Sequence, residues 1–363
     1  MRLSDLDTPA IVIDLDIMER NLHKAADYAR SNGLRLRPHT KTHKIPALGR
    51  RQVELGAAGL SVAKSTEAEV MLQSGTPDLL LAYPVIGRHK LQRLTEVARR
   101  TELTVSLDSL AVARPISDAA RAAGVEIGVL AEIDVGLGRV GVQPGGELLS
   151  LVEGLSRLPH LRWRGIAFYP GHIKELDDRG QADLETLRST LFDTIRHLEQ
   201  NSLHPEIVSG GSTPLLWHSH TIPTLNEIRP GTYIFNDRNT IYSGACTRAD
   251  CAATILTTVV STAPGRMIID GGSKTFSSDR LGYSADVTWG EILEAPQARF
   301  HKMNEEHGYV DLHAESTAFS VGDRLRVLPN HICVAVNLHE QVYGIRGDEV
   351  VEVWKVEGRG KLQ

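Results

Sequence analysis

The sequence predicts an α/β protein: a (β/α)8 TIM-type barrel with a second, β-rich domain. Between residue 34 and about 235, short apolar runs alternate with amphipathic stretches, the pattern of parallel strands joined by crossover helices. Eight such runs, opening near Leu34, Gly59, Asp78, Leu103, Glu126, Arg164, Glu206 and Glu227, fit a closed barrel better than an open sheet. Beyond residue 240 the character changes to β-branched runs at 252–260, 266–270, 324–328 and 350–356, separated by glycine-rich turns. At about 150 residues per domain, 363 residues accommodate one large barrel plus an appendage. The expected division is residues 11–238 for the barrel and 239–363, with 1–10, for the β-rich domain.

The elements follow in chain order. The segment 8–14 is strand-like and free to pair with the β-rich domain rather than with the barrel. Asp16 is placed to cap the first helix, with Glu19 three positions later. Met18, Leu22, Ala25 and Ala29 then repeat on one face until Asn32-Gly33 ends it. A second amphipathic helix spans 182–200, its stripe made of Leu184, Leu187, Leu191, Ile195 and Leu198. A net charge of -5 without long basic blocks argues against nucleic acid as a partner. The longest uncharged run, 207–226, is broken by Gly210, Gly211, Pro214 and Pro223, so no membrane span is expected. Three cysteines and the absence of a visible signal peptide point to a reducing cytoplasm.

In a barrel of this kind chemistry sits where the strands end. The first predicted strand runs into Arg37-Pro38-His39-Thr40-Lys41-Thr42-His43-Lys44, basic or titratable at alternate positions. A lysine at a barrel mouth loses its proton cheaply beside other cations, and a neutral amine forms a Schiff base; the plainer reading is a basic surface turn. The strand from Glu126 ends in Asp134-Val135-Gly136-Leu137-Gly138-Arg139-Val140-Gly141-Val142, whose glycines admit close backbone approach to a ligand and whose lone arginine suits an anion or phenolate. Ser209-Gly210-Gly211-Ser212-Thr213-Pro214 offers hydroxyls and amides to a phosphate, or is simply a flexible loop. Lys64 and Glu67 read as an ordinary ion pair at a helix start, 304–308 as a polar hairpin turn or equally as a segment near a neighbouring subunit's site, and His218, His220 and His339 as structural.

These motifs, together with His331-Ile332-Cys333 near the end of the chain, resemble the D-threonine aldolase and D-serine dehydratase family, pyridoxal-phosphate enzymes of the alanine-racemase barrel type. The resemblance runs from Asp7-Thr8-Pro9 to the C-terminal Val353-Trp354-Lys355 region. It implies that Lys41 carries pyridoxal 5'-phosphate, flanked by His39 and His43, and that Arg139 faces the cofactor's phenolic oxygen. Ser209, Gly210, Gly211, Ser212 and Thr213, with Gly231, Thr232 and Tyr233, would hold the phosphate, and Tyr169 would border the ring. His331 and Cys333 match the family's metal pair. A His-x-Cys spacing puts both side chains on one face of a strand, and an imidazole with a thiolate suits Zn²⁺, where His-x-Asp relatives look better suited to Mn²⁺.

The implied activity is metal-assisted lysis of a D-β-hydroxy amino acid, first as a D-threonine aldolase giving glycine and acetaldehyde. His172 would be the base on the β-hydroxyl, although it stands two residues beyond Pro170, where family aldolases carry a histidine close after the tyrosine. D-serine dehydratase is the alternative, and His-x-Cys leans toward it. A racemase and a non-catalytic pyridoxal-phosphate carrier are the further readings. The family also implies a homodimer acting on small D-amino acids.

Overall fold

The computed structural model describes residues 1–282, 287–312 and 319–363. The chain forms two compact units: one of Lys24–Lys41, Pro46–Gly231 and Gly360–Gln363, the other of Met1–His23, Thr42–Ile45 and Thr232–Arg359. The first strand, β1 (Ala10–Asp14), belongs to the second of these.

The first unit holds eight parallel strands: β2 (Arg35–Leu36), β3 (Leu60–Val62), β4 (Asp78–Leu81), β5 (Glu102–Leu107), β6 (Ile127–Ile133), β7 (Leu161–Phe168), β8 (Ile207–Gly210) and β9 (Glu227–Ile228). They are ordered β2-β9-β8-β7-β6-β5-β4-β3. The ring closes between β2 and β3 through a parallel bridge of His39 with Ser61, supported by Ser61 N–H donating to Pro38 O at 2.8 Å. All eight predicted strands are therefore present in a barrel. Leu80, Leu130, Ala167 and Ile207 form one buried cluster linking four of them.

A charged network is buried in the same unit. Arg37, 1% exposed, reaches Asp78 at 2.9 Å and Glu227 at 3.0 Å, while Arg164 reaches Asp78, Glu102 and Glu206. Burial opposes the charge on Arg37, but Glu227 and Asp78 more than offset it and hold the guanidinium firmly charged. Outside the strands, the helix Asp178–Gln200 starts at an Asp177 cap that accepts from Gly180 N–H and buries Leu184, Leu187, Leu191 and Leu198.

In the other unit β1 pairs antiparallel with β10 (Ala253–Ala263) and parallel with a later strand, the sixteenth of the chain. The remaining strands are β11 (Arg266–Ile269), β12 (Gly290–Ile292), β13 (Arg299–Met303), β14 (Gly308–Asp311), β15 (Arg324–Pro329), β16 (Gln341–Arg346) and β17 (Glu349–Lys355). Their order is β13-β14-β11-β10-β1-β16-β17, with β15 joining β10 and β12. The strand expected at 8–14 thus pairs as the sequence suggests. Leu6, Val12, Leu256 and Ile345 pack together across this sheet.

Two local expectations need correction. The first helix, Leu15–Ser31, is capped by Asp14, whose Oδ1 accepts from Ile17 N–H at 2.9 Å, not by Asp16, which lies inside the first turn. The His331-x-Cys333 pair does not lie on a strand. β15 stops at Pro329, and Cys333 sits in the first turn of a helix, Ile332–Leu338, with His331 as its N-cap. Among the described residues, no helix is long and apolar enough to cross a membrane.

Candidate functional site

In the barrel unit the predicted lysine stands on a short turn. After β2 the chain runs through His39 into the 3-10 turn Thr40–Thr42, where Lys41 is exposed and its N–H donates to His39 Nδ1 at 3.3 Å. Thr40 anchors this turn from below: its hydroxyl donates to Ser61 O at 3.1 Å and to Glu67 Oε1 at 3.3 Å. Glu67 Oε2 also accepts from Ala63 N–H at 2.8 Å. Glu67 is therefore a buried anchor and not the ion-pair partner of Lys64 expected from the sequence. The Lys64 ammonium lies over the Tyr83 ring instead, 3.7 Å from its centroid.

At the end of β6, Asp134 organises the glycine-rich loop. Its Oδ1 accepts from Gly136 N–H at 3.0 Å and Gly138 N–H at 3.1 Å. Burial works against the charge, but these donors, with Leu137 N–H and the charge of His172, hold the carboxyl below its usual range. Gly136 has φ +116°, and a Cβ there would stand 3.3 Å from the His172 ring. This glycine thus permits a close approach to His172. His172 Nδ1 is buried and has no hydrogen-bond partner among the described residues. Arg139 is exposed, its guanidinium 4.8 Å from the Tyr169 ring centroid.

The loop after β8 is only partly available to an anion. Ser209 donates its hydroxyl to Glu227 at 2.7 Å and accepts from Arg229 at 3.0 Å, so that hydroxyl is occupied within the buried network, contrary to expectation. Gly210 admits no side chain, since a Cβ would meet Phe168 at 2.2 Å. Gly211 is left-handed at φ +87° and has no atom within 3.7 Å of a Cβ position, and Ser212 and Thr213 follow it, both nearly buried. This small-residue cradle fits a phosphate group on its backbone. Gly231 ends this stretch of the barrel unit, while Thr232 and Tyr233 fall in the other unit, on the 3-10 turn Thr232–Ile234.

In that unit His331 and Cys333 come together. The imidazole hydrogen-bonds the Cys333 side chain, and its Nδ1 lies 2.6 Å from Asp279 Oδ2. Burial opposes the imidazolium, yet the Cys333 charge and the hydrogen bond to Asp279 raise its pKa; Cys333 is lowered in turn, its own burial notwithstanding. Thr42 Oγ1 accepts from Cys333 at 3.2 Å and Thr232 Oγ1 is 3.5 Å from the sulfur. Asp237 Oδ2 accepts from Ile332 N–H at 3.0 Å, which fixes the peptide between the two side chains. An imidazole held by a carboxylate beside a thiol suits a borderline-soft divalent ion. No third His, Cys, Asp or Glu among the described residues joins such a group.

Sequence reading missed Asp279 and Asp237, and gave Glu67 only the role of an ion-pair partner. Only Asp237 carried a local signal, the Asp-x-x-Thr capping pattern with Thr240. Cys246 and Cys251 hydrogen-bond one another, and Cys246 donates to Thr240 at 3.4 Å.

Comparison with known proteins bears on both units. The family described as alanine racemase, N-terminal domain, matches residues 13–239, and the one described as putative serine dehydratase domain matches 252–345. The chain is 32% identical to a 3-hydroxy-D-aspartate aldolase of Paracoccus denitrificans (strain Pd 1222), covering 99% of this chain and 93% of the relative. It is also 32% identical to a D-threo-3-hydroxyaspartate dehydratase of Delftia sp. (strain HT23), over 97% of this chain and 98% of that one. The crystal structure of D-threonine aldolase from Filomicrobium marinum superposes with a TM-score of 0.93 at 32% identity, covering 100% and 98% of the two chains. A mutant of D-threo-3-hydroxyaspartate dehydratase described as in the metal-free form gives a TM-score of 0.88 at 31% identity, covering 98% of each chain.

Proposed function

The chain belongs to the alanine-racemase-type family that includes the D-threonine aldolases and D-serine dehydratases, and on that premise we propose a pyridoxal-phosphate-dependent lyase of D-β-hydroxy amino acids. Its proposed reaction is retro-aldol cleavage of D-threonine to glycine and acetaldehyde. 3-Hydroxy-D-aspartate, the substrate in the name of the Paracoccus relative, is the proposed companion substrate. The observation that carries this reading is Lys41, exposed on a turn that Thr40 ties to Ser61 and Glu67.

In the barrel unit, Lys41 Nζ would hold the cofactor covalently, and the Gly211, Ser212 and Thr213 segment would cradle its phosphate. Pyridoxal phosphate, when bound, supplies the electron sink for the bond broken at Cα. Arg139 and Tyr169 would border the ring, and His39 takes the Lys41 N–H and orients the turn. His172 Nδ1, buried and unpartnered among the described residues, is the proposed acceptor for the β-hydroxyl proton. In the other unit, His331 and Cys333 would hold a Zn²⁺ or Mn²⁺ ion, which when bound supplies a positive charge that favours an ionised hydroxyl. Asp279 orients the His331 ring for that purpose.

A second reading, dehydration, is favoured by one observation: the residue two positions beyond His331, Cys333, offers a thiol rather than a carboxylate. There Lys41 Nζ takes the Cα proton and the hydroxyl leaves, giving 2-oxo acid and ammonia. Purified protein with D-threonine and with D-serine, in Zn²⁺ or Mn²⁺, separates the two. Glycine plus acetaldehyde supports the aldolase, and exclusive formation of 2-oxo acid would sink it.

A further inference from the structure

We propose that Lys64, held over the Tyr83 ring, receives an anionic substituent on the substrate's β-carbon, so that 3-hydroxy-D-aspartate-type dicarboxylic amino acids are preferred to D-threonine. This role for Lys64 presupposes the lyase activity proposed above and adds a choice among its substrates.

Lys64 and Tyr83 stand two residues beyond the ends of β3 and β4, neighbouring strands of the barrel. Both are at the C-terminal end of the parallel sheet, where barrel chemistry is placed. Strand register ties them to the lysine turn. His39 and Ser61 are bridged in parallel, so Lys41 and Lys64 lie two and three residues past the same bridge. On the other flank of β2 come β9 and β8, whose ends carry Gly231 and the 209–213 loop. Around the barrel mouth, Lys64 therefore stands on one side of the Lys41 turn, and Gly231 with the 209–213 loop stands on the other.

The Lys64 ammonium is placed to bind an anion. It makes no ion pair with a carboxylate among the described residues, because Glu67, three positions on, is turned to Thr40 and Ala63. A lysine at a helix start ordinarily extends into water. Here the ammonium lies 3.7 Å from a ring centroid, fixed by the ring's negative face. Tyr83 is itself 44% exposed, so the pair borders open space at the barrel mouth. A carboxylate on the β-carbon gains a charge-assisted contact with this pre-positioned cation, whereas the methyl group of D-threonine gains nothing from it.

The test measures kcat/KM of the holoenzyme for D-threonine and for 3-hydroxy-D-aspartate, in the wild type, Lys64→Met, Lys64→Arg and Tyr83→Leu. The wild type is expected to prefer the dicarboxylic substrate at least about tenfold, as one hydrogen bond to a charged group provides. Lys64→Met removes that preference, Lys64→Arg retains most of it, and Tyr83→Leu reduces it. Calorimetric titration with D-aspartate and D-2-aminobutyrate, which lack the β-hydroxyl, gives a readout without turnover: D-aspartate is expected to lose at least about tenfold in affinity in Lys64→Met relative to D-2-aminobutyrate. An unchanged substrate ratio, or equal losses for both ligands, overturns the role of Lys64. If both substrates yield only 2-oxo acid, the aldol reading fails, while the D-aspartate titration still decides the question of Lys64.

Discussion

Asp279 Oδ2 lies 2.6 Å from His331 Nδ1, so a carboxylate 52 residues earlier in the chain holds the imidazole that heads the His331-Ile332-Cys333 run. Such a partner fixes the ring's tautomer and leaves its other nitrogen for a ligand. Asp279→Ala is expected to weaken Zn²⁺ or Mn²⁺ binding about 10–100-fold, read by competition with a chromogenic chelator. Wild-type metal affinity in the variant would show that the contact does not orient a metal ligand.

Lys41→Ala should abolish the borohydride-reducible attachment of pyridoxal phosphate, detected by mass spectrometry of peptides from the reduced protein. If Lys41 Nζ also moves a proton, turnover falls at least about 10²–10⁴-fold. A reduced adduct on Lys44 or Lys64 in this variant would assign the cofactor to a different lysine.

For His172→Gln the expected loss is in kcat for D-threonine cleavage, about 10²–10⁴-fold with KM little changed, as for removal of a positioned base. A variant that raises KM alone would make His172 a binding residue. The buried, unpartnered Nδ1 is the atom at issue.

Gly210→Ala is expected to destabilise the barrel unit. The backbone there is not left-handed, so the cost is steric: the new Cβ would meet the Phe168 ring at 2.2 Å. Overpacking of this kind costs about 1–3 kcal/mol, seen as a lower denaturation midpoint at constant slope. An unchanged midpoint would mean that the ring moves aside freely.

Asp134 ties the loop after β6 to pH. Its carboxyl is held below the ordinary value of 3.8, so its stabilising contribution is fully present above that value and is lost as pH falls through the lower folded-state value. Asp134→Asn should therefore lower Tm at pH 7 and approach the wild type below about pH 4. A difference that persists undiminished in acid would place the effect in packing rather than charge.

The barrel was legible because its strands are continuous apolar runs bounded by turns, as Asp78–Leu81 and Ile127–Ile133 illustrate. The hairpin of β16 and β17 carried its own unread signal, Gly347-Asp348 with Gly347 at φ +58°. The placement of His331 and Cys333 was misread because β-branched Ile332, Val334 and Val336 imitate a strand, whereas Pro329 and the Asp237 contact to Ile332 turn the chain into a helix. That Lys41, Arg139 and the 209–213 loop fall at or just beyond strand ends was legible from the apolar runs before them. Arg37, Asp78 and Glu227 were not: isolated charges in a sequence read as surface, and only the fold shows them neutralising one another out of water.

The ring of strands around the barrel is fastened between β2 and β3 by the His39–Ser61 bridge, its flanking amide bonds and the hydroxyls of Thr40 and Ser61. That seam runs into the turn carrying Lys41. Amide hydrogens on either side of it are the ones to watch when the cofactor is stripped, because they are where the barrel would first come unbuttoned. A molecule bound through Lys41 would then act as a clasp as well as a reagent, and exchange at residues 37–41 and 58–62 would slow more on loading than exchange in β6 or β7.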